Sequence, residues 1–194
     1  MNCQTRISFA LALMMGFVGA PFVQAHVDPG TLFKQLQSPE ATDKATETLL
    51  KSAPNDPETR RYLQKELQQM IEKGWRGDSL QWMNAVSLAG KLKITETAPA
   101  LAKWIGMDPV GDTSLRMAIR LENNPAANAL AEIGDPAIRE LVGVLDHGSS
   151  RERTVSYMIL VRIDSPRAKS VIRARLPNES DSDVREFIEK LDKK

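Results

Sequence analysis

The sequence predicts an all-α protein, because helix starts led by proline and apolar residues spaced three and four apart recur along it. At each start a short polar residue precedes a proline. The polar side chain is suited to cap a helix, and the proline, which lacks an N–H, suits the first helical position. Six pairs have this form: Asp28-Pro29, Ser38-Pro39, Asp56-Pro57, Asn124-Pro125, Asp135-Pro136 and Ser165-Pro166. Alternating β-branched residues are scarce, and neither an Asn-Gly nor an Asp-Gly hairpin turn occurs.

Three segments near the C-terminus carry apolar residues at helical spacing, which places them on one face of a helix with 3.6 residues per turn. These residues are Ile138, Leu141, Val142 and Leu145, then Ala168, Val171 and Ile172, and finally Val184, Phe187, Ile188 and Leu191. Each predicted helix is short, about 10–15 residues, and isolated helices of that length are marginal in water. The helices are therefore expected to pack against one another.

A two-helix unit recurs after thirty residues. Residues 126–138 contain a helix of small residues, a Gly-Asp-Pro turn and the start of a second helix. Ile163-Asp164-Ser165-Pro166 reproduces that turn, and looser copies occur at 49–57 and 85–101. A period of about 30–40 residues made of two helices is typical of a solenoid.

The segment Ala-Leu-Ala-Glu-Ile-Gly-Asp-Pro-Ala-Ile at 129–138 resembles the core of a HEAT-like repeat, of the kind also found in the phycobilin-lyase group. The resemblance implies a short right-handed α-solenoid of about four HEAT-like hairpins with a C-terminal capping helix. It also implies a ladder between an aspartate near the turn and a basic residue on the second helix. Asp135 with Arg139 resembles such a pair, whereas Ser165 with Lys169 keeps only the basic half.

The predicted domain organisation is a signal peptide over 1–25 followed by one HEAT-like domain over 26–194. Within the domain we expect helix pairs near 39–73, 79–106, 125–146 and 150–176, and a capping helix over 181–192. Residues 106–112 are predicted to form a loop, and 113–123 carry some helical spacing.

The first 25 residues have the features of a secretory signal. Arg6 gives a weakly positive start, residues 7–18 are apolar, and Val23-Gln24-Ala25 presents small side chains to a signal peptidase. The alternative is a membrane anchor, but the apolar run is shorter than the roughly 20 residues that span a bilayer as a helix. We therefore expect cleavage after Ala25, a periplasmic or secreted protein, and no membrane span in the mature chain.

Charge and composition disfavour nucleic-acid binding and catalysis. The chain has 26 basic and 25 acidic residues, and removal of Arg6 with the signal leaves 25 of each. This balance provides no overall field that would attract nucleic acid or an anionic membrane. The only cysteine, Cys3, lies in the predicted signal, and the chain has two histidines. We therefore expect no catalytic residue, no metal ligand, no cofactor and no enzymatic activity.

Two pairs of residues are candidate metal ligands, but each pair also has a simpler interpretation. Cleavage would make His26 the N-terminal residue, and with His147 it would offer two copper ligands. His147, however, suits the C-terminal end of a helix, where a basic residue is favoured. Asp108 and Asp112 flank a loop, but calcium takes six or more oxygen ligands. We expect a solvated loop there and an untethered terminus at His26.

Trp75 is the first candidate for a partner-binding residue. It lies in the predicted turn Gly74-Trp75-Arg76-Gly77, where an aromatic side chain either folds back on the helices or faces a partner. Trp82 shares helical spacing with Val86 and Ala89 and is predicted to lie in the core.

A second candidate region is basic. Residues 139–175 contain eight basic and four acidic residues, a net charge of +4. Arg162, Lys169 and Arg173 are candidate residues on one ridge for an acidic partner or a polyanion. The alternative is a solvated outer face that the acidic segment 179–192 partly neutralises.

These features favour a non-enzymatic scaffold that binds a protein or peptide, because stacked helical hairpins create an extended binding surface. Two alternatives are a lyase- or chaperone-like enzyme, which the phycobilin-lyase resemblance implies, and a structural spacer in the cell envelope. The sequence leaves the identity of the partner and the oligomeric state open.

Overall fold

The computed structural model describes residues 28–35, 42–76, 79–107 and 121–191. Throughout these ranges the regular structure is helical and no strand occurs, so the predicted all-α class is confirmed. No helix within them is long and apolar enough to span a bilayer. The predicted signal at 1–25, the pair Ser38-Pro39 and most of the segment 106–123 lie outside the described residues.

The described part of the chain forms ten α-helices joined by turns and short 3-10 segments. The α-helices are α1 Pro29–Gln35, α2 Thr42–Ser52, α3 Pro57–Lys73, α4 Ser79–Lys91, α5 Ala98–Ala102, α6 Pro125–Ile133, α7 Ile138–His147, α8 Ser150–Ile163, α9 Pro166–Arg175 and α10 Ser182–Leu191. The 3-10 segments are Thr95–Thr97, Leu121–Asn123, Asp135–Ala137 and Leu176–Asn178.

These bounds follow the helix positions expected from the sequence, with two differences. The ranges predicted for helix pairs contain α2 and α3, α6 and α7, and α8 and α9, and the range predicted for the capping helix contains α10. Helix α1 adds an element before the first predicted pair. In the pair near 79–106 the second helix is only Ala98–Ala102, preceded by a 3-10 segment.

Four of the predicted proline-led starts are capped as expected. The side chains of Asp28, Asp56, Asn124 and Ser165 accept hydrogen bonds from backbone N–H groups in the first turns of α1, α3, α6 and α9, at 2.9, 3.0, 3.0 and 3.1 Å. In each case the proline that follows is the first helical residue. The local proline signal therefore correctly located four helix starts.

The predicted cap at Asp135 is wrong. Asp135 begins a 3-10 segment, and α7 starts only at Ile138. The Ala137 N–H donates to the Gly134 carbonyl at 2.9 Å, so a tight backbone turn takes the role that was expected of the aspartate side chain. Gly134 has a φ of 80°, which already redirects the chain before Asp135.

The helices pack in a regular order along the chain. Even-numbered helices contact one another in sequence from α2 through α4, α6 and α8 to α10, and odd-numbered helices do so from α3 through α5 to α7. Contacts between the two sets join α3 to α4, α5 to α6, α7 to α8 and α8 to α9. The short helices are therefore stabilised by neighbours on more than one side, as their length requires.

Helices α4 and α6 approach especially closely. A β-carbon at Gly90 on α4 would lie only 2.7 Å from the Cα of Ala129 on α6. Small residues at this crossing let the two backbones approach, and larger apolar residues fill the space around it. One hydrophobic cluster runs from α2 to α10, and α8 contributes a continuous buried segment over residues 154–160.

The thirty-residue repeat in the sequence places a helix end at the same position in both copies, but the backbone conformation there differs. Gly134 ends α6 with a φ of 80° and a ψ of −140°, whereas Asp164 ends α8 with a φ of 54° and a ψ of 20°. Their N–H groups donate to the carbonyls of Leu130 and Leu160 at 3.1 and 3.2 Å. Asp164 adopts a left-handed helical conformation that aspartate tolerates better than most residues, whereas Gly134 adopts one that suits glycine.

Candidate functional site

An exposed apolar surface lies where α3 turns into α4. Trp75 is in the turn after α3 and is 41% exposed, while Leu80 and Met83 in the first turns of α4 are 36% and 42% exposed. Residues three apart on a helix lie on the same side, so Leu80 and Met83 face solvent together. These three residues are called the Trp75 surface. Of the two orientations considered for Trp75, its exposure matches the one that faces outward.

The buried Trp82 and the partly buried Trp104 hold the end of α3, where the turn that contains Trp75 begins. Trp82 and Trp104 both donate their indole N–H to the carbonyl of Ile71, at 3.4 and 3.0 Å. Their rings meet edge to face, with centroids 5.8 Å apart and planes at 70°. Trp82 is buried, which confirms that it is a core residue. Trp104 has an equal role here that sequence analysis did not predict.

Two exposed cations flank Trp75 in the chain. Lys73 is the last residue of α3 and Arg76 follows Trp75 in the turn, and both are exposed. Neither is held in an ion pair by another residue in the ranges that the structure describes. The nearby Glu72 accepts a hydrogen bond from Gln68 at 3.0 Å. Glu72 is itself exposed, and Asp78 follows Arg76 in the sequence, so the segment 72–78 carries two basic and two acidic residues and no net charge.

The three basic candidates have different surroundings. On α8, Arg162 is exposed and donates from Nη1 to the side-chain oxygen of Asn128 on α6 at 3.1 Å. On α9, Lys169 pairs with Asp164 at 2.6 Å, and Arg173 donates from Nε to the Lys169 carbonyl at 3.3 Å. Lys169 and Arg173 therefore lie together on the exposed side of α9, whereas Arg162 extends towards α6.

Two of the four basic residues of α9 form ion pairs with aspartates. Lys169 pairs with Asp164, and Arg175 forms an ion pair with Asp146 at the end of α7. Arg139 pairs with the adjacent Glu140 at 2.7 Å, so the described residues do not form the ladder that its spacing from Asp135 suggested.

A buried ion pair anchors the segment that leads into α10. Arg153 on α8 donates from Nη2 and Nε to the carboxylate of Glu179, at 2.8 and 3.1 Å, and from Nη1 to the Gly148 carbonyl at 2.9 Å. Glu179 is almost fully buried. Burial raises the pKa of Glu179, but the hydrogen bonds from Arg153 and from the Asp181 N–H outweigh it and hold that pKa below its ordinary value.

This ion pair forms one wall of a polar cleft of about 420 Å³ among the ends of α7, α8 and α9. Tyr157 also lines the cleft, and burial followed by the charge of Glu179 raises the pKa of its phenol to about 12. The donors of Arg153 and the oxygens of Glu179 are occupied by each other and by the backbone. The arrangement therefore holds the connection to α10 in place and offers no activated group for chemistry.

The described residues contain no group of three or more histidine, cysteine, aspartate or glutamate side chains that would hold a metal. His147 is the last residue of α7 and is exposed, as the helix-end interpretation requires. His26, Asp108 and Asp112, the other residues weighed as metal ligands, lie outside the ranges described.

No family model, curated protein or solved structure matches the chain. The HEAT-like resemblance of residues 129–138 therefore stays a prediction from the sequence.

Proposed function

We propose that this chain is a non-enzymatic binding module of the cell envelope that holds a protein or peptide partner. The observation that carries the proposal is the exposure of Trp75 together with Leu80 and Met83. Tryptophan and methionine are enriched at protein interfaces, and buried tryptophans often contribute a large share of the binding energy. Three large apolar side chains close together in the chain are therefore best explained by a partner that covers them.

The architecture proposed to present this surface is a short right-handed α-solenoid of about four HEAT-like hairpins, capped by α10. The ordered contacts among even-numbered and odd-numbered helices support it, since each hairpin of a solenoid contacts its neighbours. The helix ends at Gly134 and Asp164 support a repeated unit, since they lie thirty residues apart and each N–H donates to the carbonyl four residues earlier. We further propose that residues 1–25 direct export, which would place the partner in the periplasm or outside the cell.

The exposed side of α9 is proposed as a second contact for an acidic region of the partner. Helix α9 carries four basic residues and no acidic one, and Arg173 is exposed on it beside Lys169. Arg162, which contacts Asn128 on α6, is proposed as a further contact for the same partner. Because aspartates already pair with Lys169 and with Arg175, this contact is expected to add less affinity than the Trp75 surface.

A pull-down from envelope extract tests the proposal with matched variants. The bait proteins are wild type, Trp75→Ala, Arg162→Glu/Arg173→Glu, and Phe187→Ala as a control. Phe187 is 40% exposed on α10, so its replacement removes a similar aromatic side chain at another site. We expect a stable partner that wild type and Phe187→Ala retain and that Trp75→Ala loses.

Three other results would contradict the proposal. A partner that all variants retain would show that neither surface binds it. Absence of a partner, combined with turnover of a chromophore or small substrate by the purified protein, would instead favour the lyase-like alternative. Absence of both would favour the envelope spacer.

A further inference from the structure

Met83 is the most exposed of the methionines that the structure describes. It is 42% exposed on α4, whereas Met158 is 8% exposed and Met70 and Met107 are partly buried against the hydrophobic cluster. Four others lie outside the described residues: Met1, Met14, Met15 and Met117. Oxidation of a side-chain sulfur is favoured by exposure to solvent. An oxidant in solution is therefore expected to reach Met83 before the other three described methionines.

The reaction considered is the transfer of one oxygen atom from hydrogen peroxide to the methionine thioether. The peroxide O–O bond breaks, an S–O bond forms, and the second peroxide oxygen leaves as water with both hydrogens. The sulfur is thereby oxidised by two electrons and the peroxide is reduced by two. The product, methionine sulfoxide, is polar, whereas the thioether was apolar and flexible.

The position of Met83 decides what a sulfoxide would change. Met83 shares the Trp75 surface with Leu80, one turn earlier on α4, and both are exposed. A sulfoxide at Met83 stays hydrated, so the core keeps its packing. Met158 lies in the buried segment 154–160 of α8, where the same oxygen would have to be buried, which is costly unless a hydrogen bond compensates. Oxidation of Met83 therefore alters a surface, whereas oxidation of Met158 would damage the core.

We propose that Met83 is an oxidation site, and that its sulfoxide weakens the binding of a partner at the Trp75 surface while the fold stays intact. A partner that covers this surface must then desolvate a polar S–O group in place of a thioether, which lowers the affinity. Reductase enzymes convert methionine sulfoxide back to methionine, so the change is reversible. The effect on binding rests on the proposed function, whereas the selective oxidation of Met83 does not.

Peptide mass spectrometry tests the selectivity of the oxidation. The purified protein is treated with dilute hydrogen peroxide, and the sulfoxide fraction at each methionine is followed with time. We expect Met83 to oxidise roughly tenfold faster than Met158 and to precede Met70 and Met107. The thermal midpoint of unfolding should stay unchanged while Met83 alone is oxidised. Equal rates at Met83 and Met158, or a fall in the midpoint at that stage, would overturn the inference.

A pull-down from envelope extract tests the effect on binding. Oxidised bait is freed of peroxide before it meets the extract, and each bait is compared with its own untreated sample. We expect oxidation to lower capture by wild type about tenfold, the effect of one uncompensated polar group in an interface. Met70→Leu, the matched control, should lose capture to the same extent. Met83→Leu has no thioether at this position, so peroxide should not change its capture.

Methionine sulfoxide reductases provide a measurement that needs no variant. They should restore capture by oxidised wild type as the Met83 sulfoxide disappears from the mass spectrum. Capture that stays high after Met83 is oxidised, or that peroxide lowers equally in Met83→Leu, would contradict this inference and leave the proposed binding module standing. An extract that yields no partner for the untreated protein would instead contradict the proposed function, and with it the effect on binding.

Discussion

The ring of Trp104 lies directly against Gly74, so that a β-carbon at Gly74 would be 2.3 Å from the ring carbon Cη2. Gly74 ends α3 with a φ of 77°, and Trp104 donates to the Ile71 carbonyl one turn earlier. Glycine is therefore required at position 74 for two reasons. The backbone conformation is one that side chains disfavour, and the indole of Trp104 occupies the space that a side chain would need. This contact sets the direction in which the chain leaves α3 towards Trp75.

Replacement of Gly74 by alanine should cost more stability than the same change at Gly134. Both glycines have a positive φ near 80°, which costs a non-glycine residue about 1–3 kcal/mol. Only Gly74 has a neighbour that blocks the new methyl group, whereas nothing lies within 4 Å at Gly134. Overpacking adds about 1–3 kcal/mol at Gly74. Urea denaturation measures both free energies of unfolding, and equal losses would show that Trp104 moves aside freely.

Asn124 should contribute more to stability than an ordinary helix cap. Its side-chain oxygen caps α6 by accepting from the Ala127 N–H, while its amide donates to the Ile105 carbonyl at 2.8 Å. Asn124→Ala removes the cap and leaves a buried carbonyl unpaired, so we expect a loss of about 2–4 kcal/mol. Asn124→Ser keeps a capping oxygen and should lose about half of that.

Ser165→Ala measures the stability contribution of a helix cap without the additional bond that Asn124 makes to Ile105. The Ser165 hydroxyl caps α9 by accepting from the Ala168 N–H. We expect a loss of about 1 kcal/mol, the usual value for an N-cap serine. Thermal and urea unfolding of the alanine variants of Ser165 and Asn124 would reveal the difference, and a similar loss in both would mean that the Asn124–Ile105 bond adds nothing.

The sequence predicts the helices better than it predicts how they meet. The starts at Pro57, Pro125 and Pro166 follow from two adjacent residues, so a local pattern is enough to locate them. The Asp135 side chain does not cap a helix as expected, because the turn at Gly134 and the 3-10 segment that follows it provide the backbone hydrogen bonds instead. Local patterns therefore locate helices but do not determine how each one begins.

The candidate site was predictable only in part for the same reason. Trp75 stood out because glycines surround it, but its exposure depends on the packing of Trp82 and Trp104 on Ile71. Trp104 is 33 residues from Ile71, and no local pattern links the two. Likewise, helical spacing places Arg162 on an outer face, while its contact with Asn128 depends on how α6 and α8 pack.

Acid should weaken the protein partly through Glu179. The pKa of Glu179 is held below its ordinary value in the folded state, so its contribution to stability is present above the unfolded pKa and is lost as pH falls through the folded one. At pH 7 Glu179→Gln should cost about 1–3 kcal/mol, because it weakens a charge-assisted bond to Arg153. The difference between the variant and wild type should begin to shrink as pH falls below the ordinary glutamate pKa of about 4.3, and it should vanish only below the lowered pKa of the folded state.

Urea midpoints at pH 7 and pH 3.5 measure this difference, with Glu189→Gln as the control for an exposed carboxylate on α10. The control should follow wild type at both values of pH. A constant difference between Glu179→Gln and wild type across the range would mean that the ion pair contributes nothing that depends on ionisation.

Alkali should weaken the protein through Tyr157. Burial and the charge of Glu179 raise the pKa of its phenol to about 12, whereas the unfolded chain ionises near the ordinary value of about 10. Because the unfolded state loses its proton first, stability should fall by about 1.4 kcal/mol for each pH unit between these values. Urea unfolding at pH 9 and pH 11 should show this fall in wild type and a smaller one in Tyr157→Phe.

Absorbance at 295 nm follows the ionisation of the tyrosines directly, and the chain has two of them. Tyr62 also has a raised pKa, from burial and the nearby Glu66 and Asp28, but it is partly exposed on α3. Tyr157→Phe should therefore abolish the later phenolate transition and leave the earlier one. If the variant lost the earlier transition instead, Tyr157 would be accessible to water, and its burial against the Arg153–Glu179 pair would be disproved.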